Sequence, residues 1–305
     1  MTQRVFGNFI LEKKIAQGGM AEIFLSRHDQ TDQVFVVKRL LPELRDDPNM
    51  VDLFLTEADI GMLLRHPNIV QVLDAGEESG EYFILMEYVD GLVLENIRTE
   101  CLAKKTTMPP HLACRVCIDA LRGLHCAHTL SNEKGSSFGL VHRDISPANI
   151  FISRDGITKV GDFGVANLSI HGSAETQRRM HGRPRYMSPE HARQEKLDAR
   201  ADIYSLALVI FELLTGLSTL HTSHEAPIEN QVKEVMFRKA PRIAKHAPDI
   251  PAPISRVLQK ALRQKRWLRF DNADKFADAL ETAAVTNEMR ATVGDLSDYA
   301  RRFLK

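Results

Sequence analysis

The segment from His142 to Asn149 reads His-Arg-Asp-Ile-Ser-Pro-Ala-Asn, and the triplet Asp162-Phe163-Gly164 follows it. In such a loop Asp144 can orient a hydroxyl and accept its proton, while Asn149 can offer a neutral oxygen to a Mg²⁺ ion. Asp162, eighteen residues after Asp144, adds a carboxylate for a second metal contact, and Gly164 permits a backbone flip. Each motif alone is weak or compatible with a polar turn. At this spacing the two together predict a metal-assisted site.

Further motifs stand in a fixed order around this segment. Val36-Val37-Lys38 ends a predicted strand, Glu57 lies in a predicted helix, and Ser188-Pro189-Glu190 follows the second motif. A lysine held by a helix glutamate can grip nucleotide phosphates as a fixed point charge. Taken singly, a surface lysine and a solvated glutamate are the simpler interpretations. In this order and at these spacings, the motifs are the signature set of protein kinases.

The segment Ala16 to Ile23 is a degenerate phosphate-binding loop. A G-x-G-x-x-G loop lets backbone amides approach nucleotide phosphates without side chains in the way. Here Ala16 and Ala21 take the first and third glycine positions, and Gly18 keeps the middle one, next to Gly19. Because alanine resists positive φ, we expect a stiffer loop than usual.

The composition excludes several classes of protein. The chain has 305 residues, 44% of them hydrophobic, which is enough for two domains or one bilobal unit. Its 40 basic and 40 acidic residues cancel, so no overall charge favours nucleic acid or an anionic membrane. Residues 1–7 lack a signal-peptide core, and the apolar stretch 206–217 is interrupted by Glu212 and too short to span a bilayer. We expect a soluble, cytoplasmic chain with no membrane segment and no nucleic-acid partner.

The cysteines allow two interpretations. Cys114 and Cys117, with His125, Cys126 and His128 nearby, resemble a zinc-ligand set. However, these residues lie on a single predicted helix, and Cys117 belongs to its apolar face. Free cysteines in a helix core behave as small hydrophobes, and this is the favoured interpretation. A reducing compartment fits the four cysteines better than a disulfide framework does.

Hydrophobic periodicity predicts an α+β fold with two lobes. A small antiparallel β-lobe with one key helix takes residues 1–88, from strands at 9–15, 22–27, 34–40, 70–75 and 82–88 and a helix at 50–65. A larger, mainly helical lobe takes residues 89–285, with an apolar, buried helix near 203–214. Residues 286–305 form a tail with a predicted helix. The polar insert 131–139 is predicted to be an exposed loop.

With these motifs, the chain resembles bacterial eukaryotic-like (Hanks-type) serine/threonine protein kinases over about residues 9–285. Supporting details are Gly18-Gly19-Met20, the segments 66–70 and 86–91, and Tyr186-Met187-Ser188-Pro189-Glu190. The resemblance implies a bilobal kinase fold with a hinge from residue 87, a catalytic loop at 142–149 and an activation segment at 162–190. It also implies ATP with Mg²⁺, or alternatively Mn²⁺, as cofactors. The implied partners are protein substrates with Ser or Thr acceptors, and a second copy for trans-autophosphorylation.

The resemblance also implies roles for individual residues. Asp144 is the catalytic base, Lys38 and Glu57 form the activating ion pair, and Asn149 and Asp162 hold the metal. The nucleotide is bound by three groups of residues. The phosphate loop contributes Ala16, Gly18 and Gly19, and the gatekeeper and hinge are Met86, Glu87 and Val89. The apolar residues around the base are Ile23, Val36 and Phe151. The structural roles are a His142–Phe163 stack, Asp202 as anchor of the catalytic loop, and a Glu190–Arg269 pair.

The chain departs from the family pattern at four places. Ser146 replaces a lysine two positions after the catalytic aspartate, and Arg183 replaces the threonine expected after Gly182. The phosphate-loop glycines are depleted, and Gly61 falls where a larger apolar residue is common. We hypothesise that Arg183 reaches the transferring phosphate and replaces the missing lysine charge. The alternatives are that Arg183 faces solvent or binds a phosphorylated substrate.

Arg143, directly before the catalytic aspartate, is typical of kinases that are switched by activation-segment phosphorylation. The candidate sites are Thr176, the first choice, then Ser173 and Ser169. A basic run follows them, which can hold the phosphate, favour an acidic substrate, or be a solvated loop face.

Three rival functions are open to this sequence. A pseudokinase acting as a nucleotide- or protein-binding scaffold is favoured by Ser146 and the lost glycines, but the intact Lys38, Asp144 and Asp162 count against it. A small-molecule kinase of the aminoglycoside type shares the Asp and Asn, but it lacks the protein-substrate segment up to Glu190. Tyrosine specificity is disfavoured by Pro147.

Overall fold

A computed structural model describes residues 4–132, 134–163, 183–223 and 226–304. These residues form two units. The first contains residues 4–66 and 70–89, and the second contains residues 67–69 together with the described residues from 90 onward.

The first unit is built on a six-stranded antiparallel sheet with strand order β1-β2-β3-β4-β6-β5. Its strands are β1 Arg4–Phe6, β2 Phe9–Gln17, β3 Ala21–His28, β4 Val34–Leu40, β5 Val72–Glu78 and β6 Glu81–Glu87. The predicted antiparallel lobe is confirmed. The last two strands are displaced by one or two residues from their predicted starts, and the three-residue β1 is too short to give a periodic signal.

A single long helix, α1 (Pro48–Leu63), packs on this sheet. Asp47 caps its start by accepting a hydrogen bond from the Asn49 amide, and Pro48 occupies the first turn, where its missing N–H costs nothing. The helix therefore starts two residues before its predicted first residue. Phe54 and Ala58 are fully buried and join a core cluster with residues of β3, β4 and β6, namely Ala21, Leu40 and Ile84.

Gly61 lets this helix approach the sheet closely. A Cβ atom built on Gly61 would lie 2.5 Å from Cγ2 of Val72 on β5, well inside van der Waals contact. The position where a larger apolar residue was expected is therefore filled from the opposite side by Val72. This explains the fourth departure from the family pattern by packing.

The second unit combines a small sheet with many helices. Its strands β7 Gly91–Val93, β8 Ile150–Ser153 and β9 Thr158–Val160 pair in that order, all antiparallel. The helices are α2 Leu94–Ala103, α3 Pro110–His128, α4 Pro189–Ala192, α5 Arg200–Thr215, α6 Ile228–Phe237, α7 Ile243–His246, α8 Ala252–Ala261, α9 Ala273–Thr286 and α10 Val293–Arg301. Short 3₁₀ turns lie at Pro147–Asn149 and Pro184–Tyr186.

Helices α3 and α5 form the core of this unit. Every residue of α5 from Ala201 to Leu214 is buried. This confirms the buried helix that was predicted from apolar residues on nearly all of its faces. Cys114 and Cys117 are buried on α3, and burial raises the pKa of the Cys114 thiol to about 12. Burial also raises the pKa of Cys117. These thiols pack as small hydrophobes.

The last helix, α10, packs on the β8–β9 turn and on α2. The Ser297 hydroxyl donates to the Arg154 carbonyl over 2.6 Å, and the Tyr299 hydroxyl lies 3.6 Å from the Cys101 sulfur. Gly156 has a φ of 82°, and a Cβ on it would lie 2.1 Å from the Val293 carbonyl oxygen. Across the described ranges, no helix combines the length and apolar character needed to cross a membrane.

Candidate active site

Lys38 and Glu57 meet in the first unit. The Lys38 ammonium lies 2.5 Å from a Glu57 carboxylate oxygen, and both side chains are about nine-tenths buried. Lys38 lies on the inner strand β4, where it pairs with Ile23 on one side and Ile84 on the other. Sheet and helix therefore hold the predicted ion pair in one geometry, in a site with weak solvent screening.

The degenerate phosphate loop is the β2–β3 hairpin. The Gly18 amide donates to the Ala21 carbonyl over 2.8 Å, and the Leu41 amide donates to the Met20 carbonyl over 2.9 Å. Neither Ala16 nor Ala21 adopts a positive φ, since both lie in strands. The expected penalty of alanine at these positions therefore does not arise, and the lost glycines do not distort the hairpin.

The predicted base-binding residues are placed on strands of both units. In the first unit, Val36 pairs with Met86 across β4 and β6. Glu87 ends β6, and its amide donates to the Gln71 carbonyl over 3.0 Å; Val89 follows two residues later. In the second unit, Phe151 lies on β8, between Val93 and Lys159.

Asp202, at the start of α5, anchors the catalytic loop of the second unit. Its two carboxylate oxygens accept hydrogen bonds from the amides of His142 (2.8 Å) and Arg143 (2.9 Å). Oδ2 also lies 2.7 Å from Nε2 of His128. Burial opposes the charged form of Asp202, but His128 and His142 outweigh it and lower the pKa of the carboxyl.

His128 is a positioning residue that the sequence analysis placed in a possible zinc set. Its side chain is 4% exposed and lies against Asp202. One sequence signal indicated that His128 would be buried: it follows Leu124 by one turn of α3 and therefore lies on the apolar face of the helix. The partner, 74 residues away, was not indicated by any local pattern.

The catalytic loop and the segment before Gly164 are joined by short contacts. Nε2 of His142 lies 2.9 Å from the Gly161 carbonyl oxygen, and the rings of His142 and Phe163 are in contact, with centroids 4.7 Å apart and planes tilted by 49°. The Gly161 amide in turn donates to the Asn149 carbonyl over 2.9 Å. The predicted contact between His142 and Phe163 is present, but the rings are tilted rather than stacked; it helps to hold the backbone next to Asp162.

Asn149 is also tied to Asp144. Its amide nitrogen donates to the Asp144 carbonyl over 2.8 Å and to the Asp144 carboxylate over 3.1 Å. Arg143 and Asp162 have φ values of 68° and 59°, a region that non-glycine residues rarely adopt. Such strained positions cluster at functional sites, where the surrounding contacts hold them in place.

The donor set at this place fits a hard cation. Because the Asn149 side-chain nitrogen bonds to Asp144, its oxygen is the atom left to face a ligand. Asp162 supplies a carboxylate from a segment tied to Asn149 through the Gly161 amide. Amide and carboxylate oxygens suit Mg²⁺ and Mn²⁺, whereas a structural zinc site uses sulfur and nitrogen.

Arg183 lies beside Ser146, as hypothesised from the two substitutions. The guanidinium Nη1 donates to the Ser146 hydroxyl over 2.5 Å, and the Arg183 amide lies 3.4 Å from Oδ1 of Asp144. Ser146 itself is fully buried. The guanidinium therefore lies next to Ser146, the residue found in place of the expected lysine.

Glu190 and Arg269 form the predicted pair in the second unit. Arg269 binds both carboxylate oxygens, at 2.5 and 2.8 Å, and its side chain is fully buried. Two parallel charge-assisted bonds give the pair a defined orientation. The predicted site residues Gly164, Ser169, Ser173 and Thr176 lie outside the described residues.

Comparison with known proteins agrees with this arrangement. The protein kinase domain model matches residues 9–280. The chain is 38% identical over 280 residues to tyrosine-protein kinase MasK of Myxococcus xanthus, covering 91% of this chain and 43% of that protein. It is 34% identical over 277 residues to serine/threonine-protein kinase PknB of Mycolicibacterium smegmatis, covering 89% and 42%. To serine/threonine-protein kinase PrkC of Bacillus subtilis it is 30% identical over 294 residues, covering 95% and 43%.

A solved structure shares the fold. The Mycobacterium tuberculosis PknI kinase domain superposes with a TM-score of 0.67 at 26% identity, covering 93% of this chain and 99% of that one. The chain spans about two fifths of the length of the curated relatives it matches. By the match over most of its length and by its motifs, the chain belongs to the protein kinase family.

Proposed function

We propose that this chain is an ATP-dependent serine/threonine protein kinase. The observation that carries the proposal is the short network that joins Asp144, Asn149 and the segment of Asp162 in the second unit. A proton acceptor and two oxygen donors for a metal are thereby held on one frame. A binding scaffold has no need of this combination, whereas phosphoryl transfer needs all three.

Asp144 is assigned as the base. It orients the acceptor hydroxyl of the protein substrate and takes its proton as the oxygen attacks. When bound, Mg·ATP would supply the phosphoryl group, and the charge of its metal ion would partly neutralise the negative charge of the phosphates. Asn149 and Asp162 would hold the metal, which Mn²⁺ can replace because it takes the same oxygen ligands.

The first unit is assigned to the nucleotide. Lys38, fixed by Glu57, would bind the α- and β-phosphates, and the hairpin amides near Gly18 and Gly19 would cover them. The hinge backbone at Glu87 and Val89, behind Met86, would bind the adenine edge. Ile23 and Val36 would contact its faces.

Arg183 is assigned to the charge that develops on the transferred group. Its guanidinium is oriented by the Ser146 hydroxyl, and its backbone amide lies next to Asp144. A positive group at the transferring phosphate is worth roughly 10³–10⁵ in rate in related phosphoryl-transfer sites. Arg183 would thus do the work of the lysine that this chain lacks.

Regulation is assigned to phosphorylation of the activation segment, first at Thr176 and then at Ser173 or Ser169. Burial lowers the pKa of Arg143 despite the charge of Asp202. A phosphate dianion nearby would favour the charged guanidinium and pair with it. A second copy of the chain, acting in trans, would transfer the γ-phosphoryl group of ATP to this hydroxyl and release ADP.

Serine or threonine is the preferred acceptor, with tyrosine as the alternative. Pro147 is buried in the 3₁₀ turn that carries Asn149, and the relatives PknB and PrkC are named serine/threonine kinases. Tyrosine is favoured by one observation, the printed name of the MasK relative.

The test uses phosphatase-treated chain incubated with Mg·ATP, beside its Asp144→Asn variant. We expect added phosphate in the wild type alone by intact mass, on Ser or Thr by amino-acid analysis, and at Thr176 by peptide mapping. Phosphotyrosine would move the acceptor assignment to tyrosine. A chain that takes up no phosphate and phosphorylates no added protein would be a pseudokinase.

A further inference from the structure

A basic pocket of about 380 Å³ opens next to the catalytic loop, within the second unit. Three arginines line it: Arg98 from α2, and Arg183 and Arg185 from the 3₁₀ turn before α4. Glu95 is the acidic side chain in the lining, and Pro184, Tyr186 and Gln231 complete the wall. Among these lining residues, arginine therefore outnumbers glutamate three to one.

The buried carboxylate beneath this pocket is fully engaged. Oε1 of Glu212 accepts from Arg98 at 2.9 Å and from Arg185 at 2.6 Å. Oε2 accepts from the Tyr186 hydroxyl at 2.5 Å. Since both oxygens are occupied and the side chain is 3% exposed, Glu212 cannot serve as a receptor for a basic side chain of a substrate.

Arg98 and Arg183 retain N–H donors that can bind an anion. A guanidinium has five N–H donors. Among the described residues, Arg98 uses three of its nitrogens, two on Glu95 and one on Glu212, and Arg183 uses one on the neutral Ser146 hydroxyl. Among the described residues, the pocket lining holds three arginines and one glutamate, and the buried Glu212 lies beneath them.

We propose that this pocket binds an acidic side chain, a carboxylate or a phosphate, that lies close to the acceptor residue in the protein substrate. The inference rests on the proposed kinase function and names its substrate class. Guanidinium groups bind carboxylates and phosphates by paired, charge-assisted hydrogen bonds, which suits three arginines around one cavity.

The acidic residue must lie near the acceptor in the substrate. The pocket begins at Arg183, whose amide is 3.4 Å from Oδ1 of Asp144, the proposed base. An extended peptide advances about 3.3–3.6 Å per residue. A substrate with its hydroxyl at Asp144 would therefore place a residue within about three positions of the acceptor in this pocket.

The experiment separates binding from catalysis. Peptides with an alanine in place of the acceptor carry Glu, phosphoserine, Gln or Lys at one position from −3 to +3, and their Kd for the whole chain is measured by fluorescence anisotropy. We expect Glu or phosphoserine to bind at least tenfold more tightly than Gln at one position, with Lys weakest. The preference should shrink in high salt because the charges are partly exposed.

Two variants move the preference in opposite directions. Arg185→Gln should reduce the acidic preference to about threefold or less, whereas Glu95→Gln should increase it several-fold. Glu95 is 38% exposed, so its variant should fold even if Arg185→Gln does not, as thermal unfolding will show. Arg256→Gln removes an exposed arginine of α8, outside the pocket, and should change nothing.

Equal affinity for Glu, phosphoserine and Gln at every position, or an unchanged preference in Glu95→Gln, would overturn the inference. A preference for phosphoserine but not for Glu would restrict the substrate class to phosphorylated proteins. A preference for both phosphoserine and Glu would define the class as acidic substrates in general. If no serine-containing peptide is phosphorylated while the acidic preference persists, the proposed activity fails and the binding pocket stands.

Discussion

Arg183 and Ser146, 37 residues apart in the chain, are joined by a hydrogen bond of 2.5 Å from guanidinium to hydroxyl. The two positions are substituted relative to the family pattern, and the structure brings the substituted side chains together beside Asp144. The short serine leaves room for the long arginine, and the arginine restores a positive charge that the serine cannot carry. This contact supports the proposal that the two substitutions form one compensated change.

This relationship predicts a specific kinetic effect. Arg183→Ala should lower kcat by about 10³–10⁵, the worth of a positive group at the transferring phosphate. Adding Ser146→Lys in that background should recover at least tenfold, since the lysine would return the charge from its usual place. The measurement is steady-state turnover at saturating ATP and peptide, with Arg183→Lys as the conservative control. An unchanged kcat in Arg183→Ala would contradict the proposal that Arg183 replaces the missing lysine charge.

The contact between Gly61 and Val72 predicts a stability effect. Gly61→Ala should gain up to about 1 kcal/mol in helix propensity, but overpacking against the stiff, β-branched Val72 costs about 1–3 kcal/mol, so a net loss is expected. Combining it with Val72→Ala should remove the overpacking, so that the double variant loses less than the sum of the two single changes. Urea unfolding of the four proteins measures this coupling, and strict additivity would contradict the close approach.

The pair of His128 and Asp202 predicts a dependence on acid. The pKa of Asp202 is lowered on folding, so the unfolded chain binds a proton at a higher pH than the folded chain does. The stabilisation is complete above the ordinary carboxyl pKa of 3.8 and is lost as pH falls through the lower folded value.

His128→Ala should therefore cost about 1.5–3 kcal/mol at neutral pH, the worth of a hydrogen bond to a charged group, and should move acid unfolding to higher pH. Urea unfolding between pH 3 and 7 measures both effects. His125→Ala, one turn earlier on α3, is the matched control. Identical acid profiles for the wild type and His128→Ala would show that His128 does not support Asp202.

The buried thiols predict low reactivity. Burial raises the pKa of Cys114 from its ordinary value of 9.0 to about 12, so at pH 8 only about 10⁻⁴ of it is thiolate. Its stabilising contribution is complete below pH 9 and is lost as pH rises towards 12. Iodoacetamide at pH 8 should modify Cys126, which is half-exposed, well before Cys114 and Cys117.

Mass spectrometry of digests from native and urea-unfolded protein gives the three rates. If Cys114 reacts equally fast in both states, its burial is not maintained in solution. Stoichiometric bound zinc by metal analysis would instead favour the ligand-set interpretation.

Much of the fold and site could be predicted because the signals are local. Strands at 9–15 and 34–40 follow from short apolar runs between turns, and the buried α5 follows from its apolar periphery. The catalytic loop and Asp162 are recognisable because a proton acceptor and metal ligands need certain residue types at close spacing. Element ends were less accurate, since capping by Asp47 and Pro48 decides where α1 begins.

By itself, the sequence indicated the family and the element types, and it supplied the residues that are proposed for phosphoryl transfer. Only the tertiary structure decided which distant side chains meet, because those contacts depend on how helices and sheets pack. Glu212 accepts hydrogen bonds from Arg98, 114 residues away in the chain, and from Tyr186, 26 residues away. Asp202 contacts His128, which is 74 residues away. No local pattern encodes these distances, so the basic pocket, the support of Asp202 by His128 and the fit of Val72 against Gly61 appear only once the chain is folded.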